Sequence, residues 1–318
     1  MKIVVGTPFL GETLEMCLKS DFPGVDFAVA YDRVDQRREI VDADGFLGWP
    51  DRETFLAANR LRWIHIPGMG LDRLEDVPEI AASNVVITNS PGPHAGPMAD
   101  HAIGMILALA HRVRDLIDDQ RAKVWKTDKY AGRMVDLNGA TLGLFGLGGI
   151  GRAVAQRALA FGMEVYAVDP SPAEVPAGVR AVWGMDRLDE LLAMSDWFVV
   201  TAPKLPELNR IIDQRRLGLM KPGANVIAIS RGGIVDEEAL AAALESGRLA
   251  GAALDVTEVE PLPTDSPLWD LENLILSPHA SALTPAMYEG RRQIFRENLR
   301  RFIEDKPLAF VCRLGEAS

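Results

Sequence analysis

Short apolar runs alternate along the chain with stretches whose apolar residues recur every three or four positions. In the first hundred residues the apolar runs are 3–5, 27–30, 45–47, 63–66 and 85–88, each the length of a buried strand. Helical candidates lie between them, notably 10–19 and 52–58. The second half repeats the rhythm. Strands are expected at 141–145, 163–168, 197–201, 224–230, 252–256 and 274–277, and helices at 186–194, 214–220 and 237–245. Strand–helix alternation of this kind predicts parallel α/β architecture. Between the halves, Pro91-Gly92-Pro93 and Gly96-Pro97 break the chain and mark a hinge or domain boundary. Beyond the break, 99–121 reads as one long helix, with Ala102, Ile103, Ile106, Leu109, Ala110, Val113, Leu116 and Ile117 as its apolar stripe. Such a stripe faces a core or a subunit interface.

One segment carries a ligand signature. The run 141–145 leads into Gly146-Leu147-Gly148-Gly149-Ile150-Gly151, which fits G-x-G-x-x-G, and a helical pattern follows with Gly162 at its expected C-terminal cap. The next strand ends on Asp169, 18 residues after Gly151. In a chain with 28 glycines the motif alone is weak; its place between strand and helix, with the acid downstream, makes it a dinucleotide fingerprint. Gly146 permits the tight turn, Gly148 lets backbone approach a pyrophosphate, and Gly151 lets helix and strand pack closely. The helix N-terminus then faces the phosphates. Asp169 accepts hydrogen bonds from both hydroxyls of the adenosine ribose and repels a 2′-phosphate, which selects NAD over NADP.

Composition narrows the partners. At 318 residues two domains are expected, and 48% hydrophobic with 25% charged residues is ordinary for a globular protein. A net charge of −11 disfavours nucleic acid and anionic membranes, which need clustered basic residues. Cys17 and Cys312 are too few for a metal cluster, and no metal is expected; the pair suffices for one disulfide, though nothing else suggests export. The first residues lack a signal-peptide core, and the apolar run 102–110 is far short of a membrane span, so a cytoplasmic protein is expected.

In open α/β sheets ligands bind beyond the carboxyl ends of the strands. Three late strands end in polar groups: 224–230 in Arg231 with Gly232-Gly233, 252–254 in Asp255 with Glu260-Pro261 five residues on, and 274–277 in Pro278-His279. Topology therefore converges an arginine, two acids and a histidine on the cofactor-facing edge. The set suits hydride exchange at a carbonyl: histidine moves the proton, a carboxylate orients and stabilises the imidazolium, and arginine holds a carboxylate bidentately. Singly, each has an ordinary structural role available; joint placement in one crevice favours catalysis by Arg231, Glu260 and His279. His94 and His101 lie near the hinge and rank below His279, while His65 and His111 read as structural. The turn Gly68-Met69-Gly70-Leu71-Asp72 offers backbone N–H groups to a substrate carboxylate, or is a plain loop. Trp49 is a candidate to line the cleft, with a packed loop tryptophan as the favoured reading.

With these residues in view the chain resembles the D-isomer-specific 2-hydroxyacid dehydrogenases, which include phosphoglycerate, glyoxylate/hydroxypyruvate and formate dehydrogenases. The resemblance rests on Asn89-Ser90-Pro91-Gly92, Met98-Ala99-Asp100-His101-Ala102, the fingerprint, Met220-Lys221-Pro222-Gly223-Ala224, 231–237, 251–256, Glu260-Pro261-Leu262-Pro263 and Ser277-Pro278-His279. It implies a Rossmann NAD-binding domain, 99–284, inserted into a smaller flavodoxin-like substrate domain, 1–98 completed by 285–318 with its helix 286–304 and a final strand at 310–311. It further implies Arg231 on the substrate carboxylate and carbonyl, His279 as general acid/base, and Glu260 as the partner raising its pKa. Gly149 and Ile150 are implied at the pyrophosphate, and Ile229, Ser230 and Asp255 near the nicotinamide. Thr201 replaces a histidine common in the family and alters a cofactor-side contact; Ala228, Asp100 and His94 are further departures, and Glu260 speaks against formate dehydrogenase. The resemblance also implies a homodimer supported by the hinge helix and a small 2-oxo acid substrate such as glyoxylate or hydroxypyruvate. The alternative is an NAD(H)-sensing, corepressor-like protein on the same fold.

Overall fold

A computed structural model describes residues 1–10, 14–170 and 175–314. The expected helix 10–19 falls partly on residues 11–13, outside the described residues, as do the side chains of Cys17 and Asp72. The chain divides into two compact units, Met1–Pro93 with Leu283–Ser318, and His94–Ala282.

In the first unit β1 (Lys2–Val5), α1 (Leu14–Asp21), β2 (Asp26–Val29), α2 (Arg33–Glu39), β3 (Gly45–Leu47), α3 (Arg52–Leu56), β4 (Trp63–His65), α4 (Pro78–Ala81) and β5 (Val86–Thr88) follow one another. The second unit runs α5 (Ala95–Ala110), α6 (Val113–Ala122), β6 (Thr141–Phe145), α7 (Gly149–Ala160), β7 (Glu164–Val168), β8 (Ala181–Trp183), α8 (Leu188–Met194) and β9 (Trp197–Val200). It continues through α9 (Gln214–Leu219), β10 (Asn225–Ala228), α10 (Glu237–Glu245), β11 (Gly251–Leu254) and β12 (Leu274–Leu276). The chain then returns to the first unit with α11 (Pro285–Ile303) and β13 (Val311–Cys312).

The first sheet has the order β13-β5-β4-β3-β1-β2, parallel except for β13, which pairs antiparallel with β5. The order 2-1-3-4-5 within it is the flavodoxin-like one. The second sheet, β12-β11-β10-β9-β6-β7-β8, is parallel throughout and has the doubly wound Rossmann order, reversing between β6 and β9. Its strands are apolar on both faces because helices cover both sides. Along β10 and just past it, Val226 and Ala228 enter one core cluster while Ile227 and Ile229 enter the other. Helix ends follow local chemistry: Asp213 and Asp236 cap α9 and α10 by accepting from the N–H groups of Arg216 and Ala239.

The expected single helix 99–121 is two helices. Arg112 between them is left-handed, φ 53°. The Ala110 carbonyl, which a continuous helix would give to Arg114, instead accepts from the Val135 N–H at 3.0 Å. The Arg114 guanidinium reaches out to the carbonyls of Leu271, Glu272 and Leu274. Contacts distant in sequence therefore redirect the chain where no glycine or proline announces a break. The stripe divides accordingly: Ala102, Ile103, Ile106 and Ala110 are buried, whereas Val113, Leu116 and Ile117 are exposed on α6. Helices α2 and α4 and strand β8 carry weak patterns and are found only in the tertiary structure. Trp49 is packed, edge-on to Phe9 with centroids 5.6 Å apart and under the Arg73 guanidinium. His65 is buried between the hydroxyls of Thr88 and Ser90, and burial lowers its pKa to about 3. His111 is exposed at the C-terminal cap of α5. The Cys312 thiol is free, and burial raises its pKa to about 11.

Candidate active site

The glycine loop is built by close backbone packing. Gly146 has φ 98°, a region that favours glycine, and a Cβ there would come within 2.7 Å of the Ala202 nitrogen. At Gly151 a Cβ would lie 2.3 Å from the Gly146 carbonyl oxygen. Thr201 Oγ1 donates to that same carbonyl at 2.7 Å, so the residue after β9 ties that strand to the loop. Gly148, the N-cap of α7, differs: a Cβ there meets no heavy atom within 4 Å. Packing inside the protein does not require glycine at this position, and the space beside its backbone is open to a ligand. The first-turn N–H groups at Gly149, Ile150 and Gly151 lack intrahelical acceptors. Asp169 follows β7, and its Oδ2 accepts from the Leu147 N–H at 2.7 Å. The carboxylate thus sits against the loop it serves, and the residues fit a dinucleotide.

The other candidates cluster beyond β10, β11 and β12. His279 Nδ1 and Glu260 Oε2 are 2.8 Å apart, and Glu260 Oε1 also accepts from the Thr257 N–H. His279 is left-handed at φ 52°, a strained state for a residue with a Cβ. Its N–H donates to the Asp255 carbonyl at 2.8 Å. The Asp255 carboxylate, 1% exposed, holds the rest of the loop: Oδ1 accepts from Ser277 Oγ at 2.5 Å and Ala280 N at 2.9 Å, and Oδ2 from Ser281 N at 3.1 Å. His101 Nε2 is 3.0 Å from Ser277 Oγ, so this histidine adjoins the clamp and not the hinge alone. The clamp of Asp255, Ser277 and His101 escaped the sequence reading. The acid at the end of β11 was its one visible signal. Arg231 follows β10 on the same edge, its Nη1 donating to the Ser230 carbonyl at 2.8 Å. Ile229 and Ser230 beside it are buried.

In the first unit the turn after β4 is fixed by its carbonyls. Ser90 N donates to Gly68 O and Asn89 Nδ2 to Met69 O, each at 2.9 Å, with Gly70 completing the turn. Asp100 forms an ion pair with Arg157. Among the described residues no group of three or more histidine, cysteine or acidic side chains is placed to hold a metal ion, and no helix is long and apolar enough to cross a membrane.

Residues 103–281 match the model of the D-isomer specific 2-hydroxyacid dehydrogenase NAD binding domain. The chain is 38% identical over 234 residues to D-3-phosphoglycerate dehydrogenase of Mycobacterium leprae, covering 74% of this chain and 43% of that one. It therefore spans less than half the length of that relative. Against glyoxylate reductase of Korarchaeum cryptofilum it is 37% identical, covering 79% of this chain and 76% of the relative. A solved D-isomer specific 2-hydroxyacid dehydrogenase from Xanthobacter autotrophicus, in complex with NADPH and MES, superposes with a TM-score of 0.82 at 28% identity, covering 98% and 97% of the two chains. The glycine loop and its acid, the paired histidine and glutamate, the two sheet orders and these likenesses agree: the chain belongs to the D-isomer specific 2-hydroxyacid dehydrogenase family.

Proposed function

We propose that this protein is an NAD-dependent oxidoreductase that interconverts a small 2-oxo acid and its D-2-hydroxy acid. The observation that carries the proposal is the His279–Glu260 pair at 2.8 Å on a loop whose backbone Asp255 holds in a strained conformation. Strain maintained by a buried carboxylate marks a residue whose direction matters.

The roles follow from the chemistry of each group. Gly146, Gly148, Gly149, Ile150 and Gly151 cradle the pyrophosphate, and Asp169 takes the ribose hydroxyls. Ile229, Ser230 and Asp255 border the nicotinamide, and Thr201 makes a cofactor-side contact at the glycine loop. When bound, NADH supplies a hydride equivalent to the substrate carbonyl carbon. Arg231 holds the substrate carboxylate and polarises the adjacent carbonyl. His279 donates the proton from Nε2 to the carbonyl oxygen during reduction and withdraws it during oxidation. Glu260 accepts from Nδ1–H, fixing the tautomer and stabilising the imidazolium. In this reading the first unit is the substrate domain, and Gly68, Met69 and Gly70 offer backbone donors to the acid. A homodimer through the apolar face of α6 completes the proposal, supported by the exposure of Val113, Leu116, Ile117 and, at 96%, Trp125.

The test is NADH oxidation by the purified chain with a panel of 2-oxo acids. Wild type turns over at least one acid. His279→Ala lowers kcat by about 100-fold or more, the range for general acid catalysis, while NADH still binds. Unchanged turnover in that variant refutes the assignment of the proton to His279, and tight NADH binding without turnover of any acid refutes the enzyme.

A further inference from the structure

The segment 231–237 runs from Arg231 into the first turn of α10. Backbone bonds pin it: Arg210 N donates to Gly233 O at 2.6 Å, Ile212 N to Ile234 O at 3.1 Å, and Asp236 N to Ile212 O at 3.0 Å. The turn 257–260, beyond β11, carries Glu260. Thr257 N donates to Glu260 Oε1 at 3.2 Å, and Thr257 Oγ1 to Val259 O at 2.9 Å. Those bonds shape the turn; they do not attach it to the sheet edge.

Other contacts attach it to the segment 231–237. A Cβ at Gly232 would lie 1.9 Å from the Thr257 carbonyl oxygen, so the two backbones touch there. Glu237 Oε1 accepts from the Glu258 N–H at 2.5 Å. Arg210 Nη2 also reaches the Glu258 carboxylate, at 2.9 Å, but exposed ion pairs contribute little. A carboxylate accepting from a backbone N–H makes a stronger, charge-assisted bond. Glu237 is half-buried, and burial, joined by the charges of Glu258 and Asp236, raises its carboxyl pKa above the ordinary value. A helix N-terminus favours an acid, yet the exposed Glu238 in the same turn already supplies one. The bond to Glu258 accounts for a carboxylate kept there against desolvation and two like charges. Two residues beyond Glu258 stands Glu260, whose Oε2 is 2.8 Å from His279 Nδ1.

We propose that Glu237 is a positioning residue: by accepting from the Glu258 N–H it docks the turn carrying Glu260 onto the segment carrying Arg231, and so holds Glu260 against His279. The inference rests on the function proposed above and adds to it the residue that keeps the acid–histidine pair and the substrate arginine in register. In this role Glu237 acts through Glu260 and not on the substrate.

Two variants separate the bond from the charge. Glu237→Asp keeps the charge and withdraws the oxygen from Glu258 by one methylene; Glu237→Gln removes the charge and keeps an acceptor oxygen. NADH oxidation is followed across pH with a 2-oxo acid that the wild type turns over. Reduction needs protonated His279, so the rate falls as pH rises. A loosened Glu260 stabilises the imidazolium less, and the fall then starts at lower pH. Glu237→Asp should lower kcat by about 10-fold or more, the scale of one charge-assisted hydrogen bond, and move the alkaline limb down by about half a unit or more. Glu237→Gln should keep the wild-type limb and stay within about threefold in kcat. An unmoved limb in Glu237→Asp overturns the proposal, even where kcat and melting temperature fall, since that combination marks a structural glutamate. A limb that moves in Glu237→Gln and not in Glu237→Asp, or equally in both, overturns it as well. If the wild type turns over no acid of a 2-oxo acid panel, the proposed function falls and the brace is decided separately. The imidazole of His279, followed by NMR and assigned with His279→Ala, should then titrate at lower pH in Glu237→Asp and as wild type in Glu237→Gln, and identical titrations in all three proteins overturn the brace.

Discussion

Replacing Asp255 by asparagine puts the least visible part of the site to a sharp test. The Asp255 carboxylate accepts from Ser277 Oγ, Ala280 N and Ser281 N, two donors on one oxygen and one on the other. Asparagine offers one oxygen and one NH2 group. In either amide orientation at least one backbone N–H then faces a donor in a site where the side chain is buried. Losing a charge-assisted hydrogen bond costs about 1.5–3 kcal/mol, and the stranded N–H adds about 1–3 kcal/mol. A total of about 4 kcal/mol lowers the melting temperature by on the order of 10 °C in a unit of this size. The second effect is on chemistry. His279 sits at φ 52° because the segment around it is clamped; once released, it relaxes toward a common backbone conformation and its ring leaves the proton path. A displacement of about 1 Å costs about 100-fold in rate. Differential scanning calorimetry and steady-state NADH oxidation read the two effects on one preparation. Asp255→Asn that melts within about 2 °C of wild type, with unchanged kcat, would refute the clamp.

Three further outcomes are expected. Wild type should favour NADH over NADPH in kcat/KM, and Asp169→Asn should raise the NADPH/NADH ratio by about 10-fold or more by removing the charge facing a 2′-phosphate; a wild-type preference for NADPH contradicts the role given to Asp169. His65 stays neutral when folded down to about pH 3, while the unfolded chain protonates it below about 6.5. The unfolded state then binds more protons, so stability falls with pH in that window, by about 2 kcal/mol between pH 7 and pH 5. Denaturation of His65→Gln should lack that part of the slope, and parallel pH profiles for variant and wild type would count against it. Light scattering should give twice the chain mass, and Ile117→Glu on the exposed face of α6 should yield monomer; a wild-type monomer removes the proposed dimer.

The sequence by itself determined what depends on neighbours a few positions apart. Buried strands are legible as short continuous apolar runs and helices by their period of 3.6 residues, so α10 is found at Glu237–Glu245 as expected. The glycines at 146 and 151 are legible because only a residue without a Cβ tolerates the turn and the close helix packing. Arg231, Glu260 and His279 stand out because strand ends on one sheet edge must converge. The tertiary structure decided what depends on distant partners. Ala110 and Arg114 find theirs at Val135 and Leu271–Leu274, and the long helix breaks at Arg112 with no local signal. Ser277 meets His101 across 176 positions and Asp255 across 22, and no spacing along the chain announces either contact. Arg291 looks like any surface arginine on a charged helix until packing turns it inward beside Phe9, its Nε and Nη1 buried without a hydrogen-bond partner among the described residues. Periodicity and backbone geometry are local and can be read from the chain; burial and the pairing of charges exist only once remote segments meet.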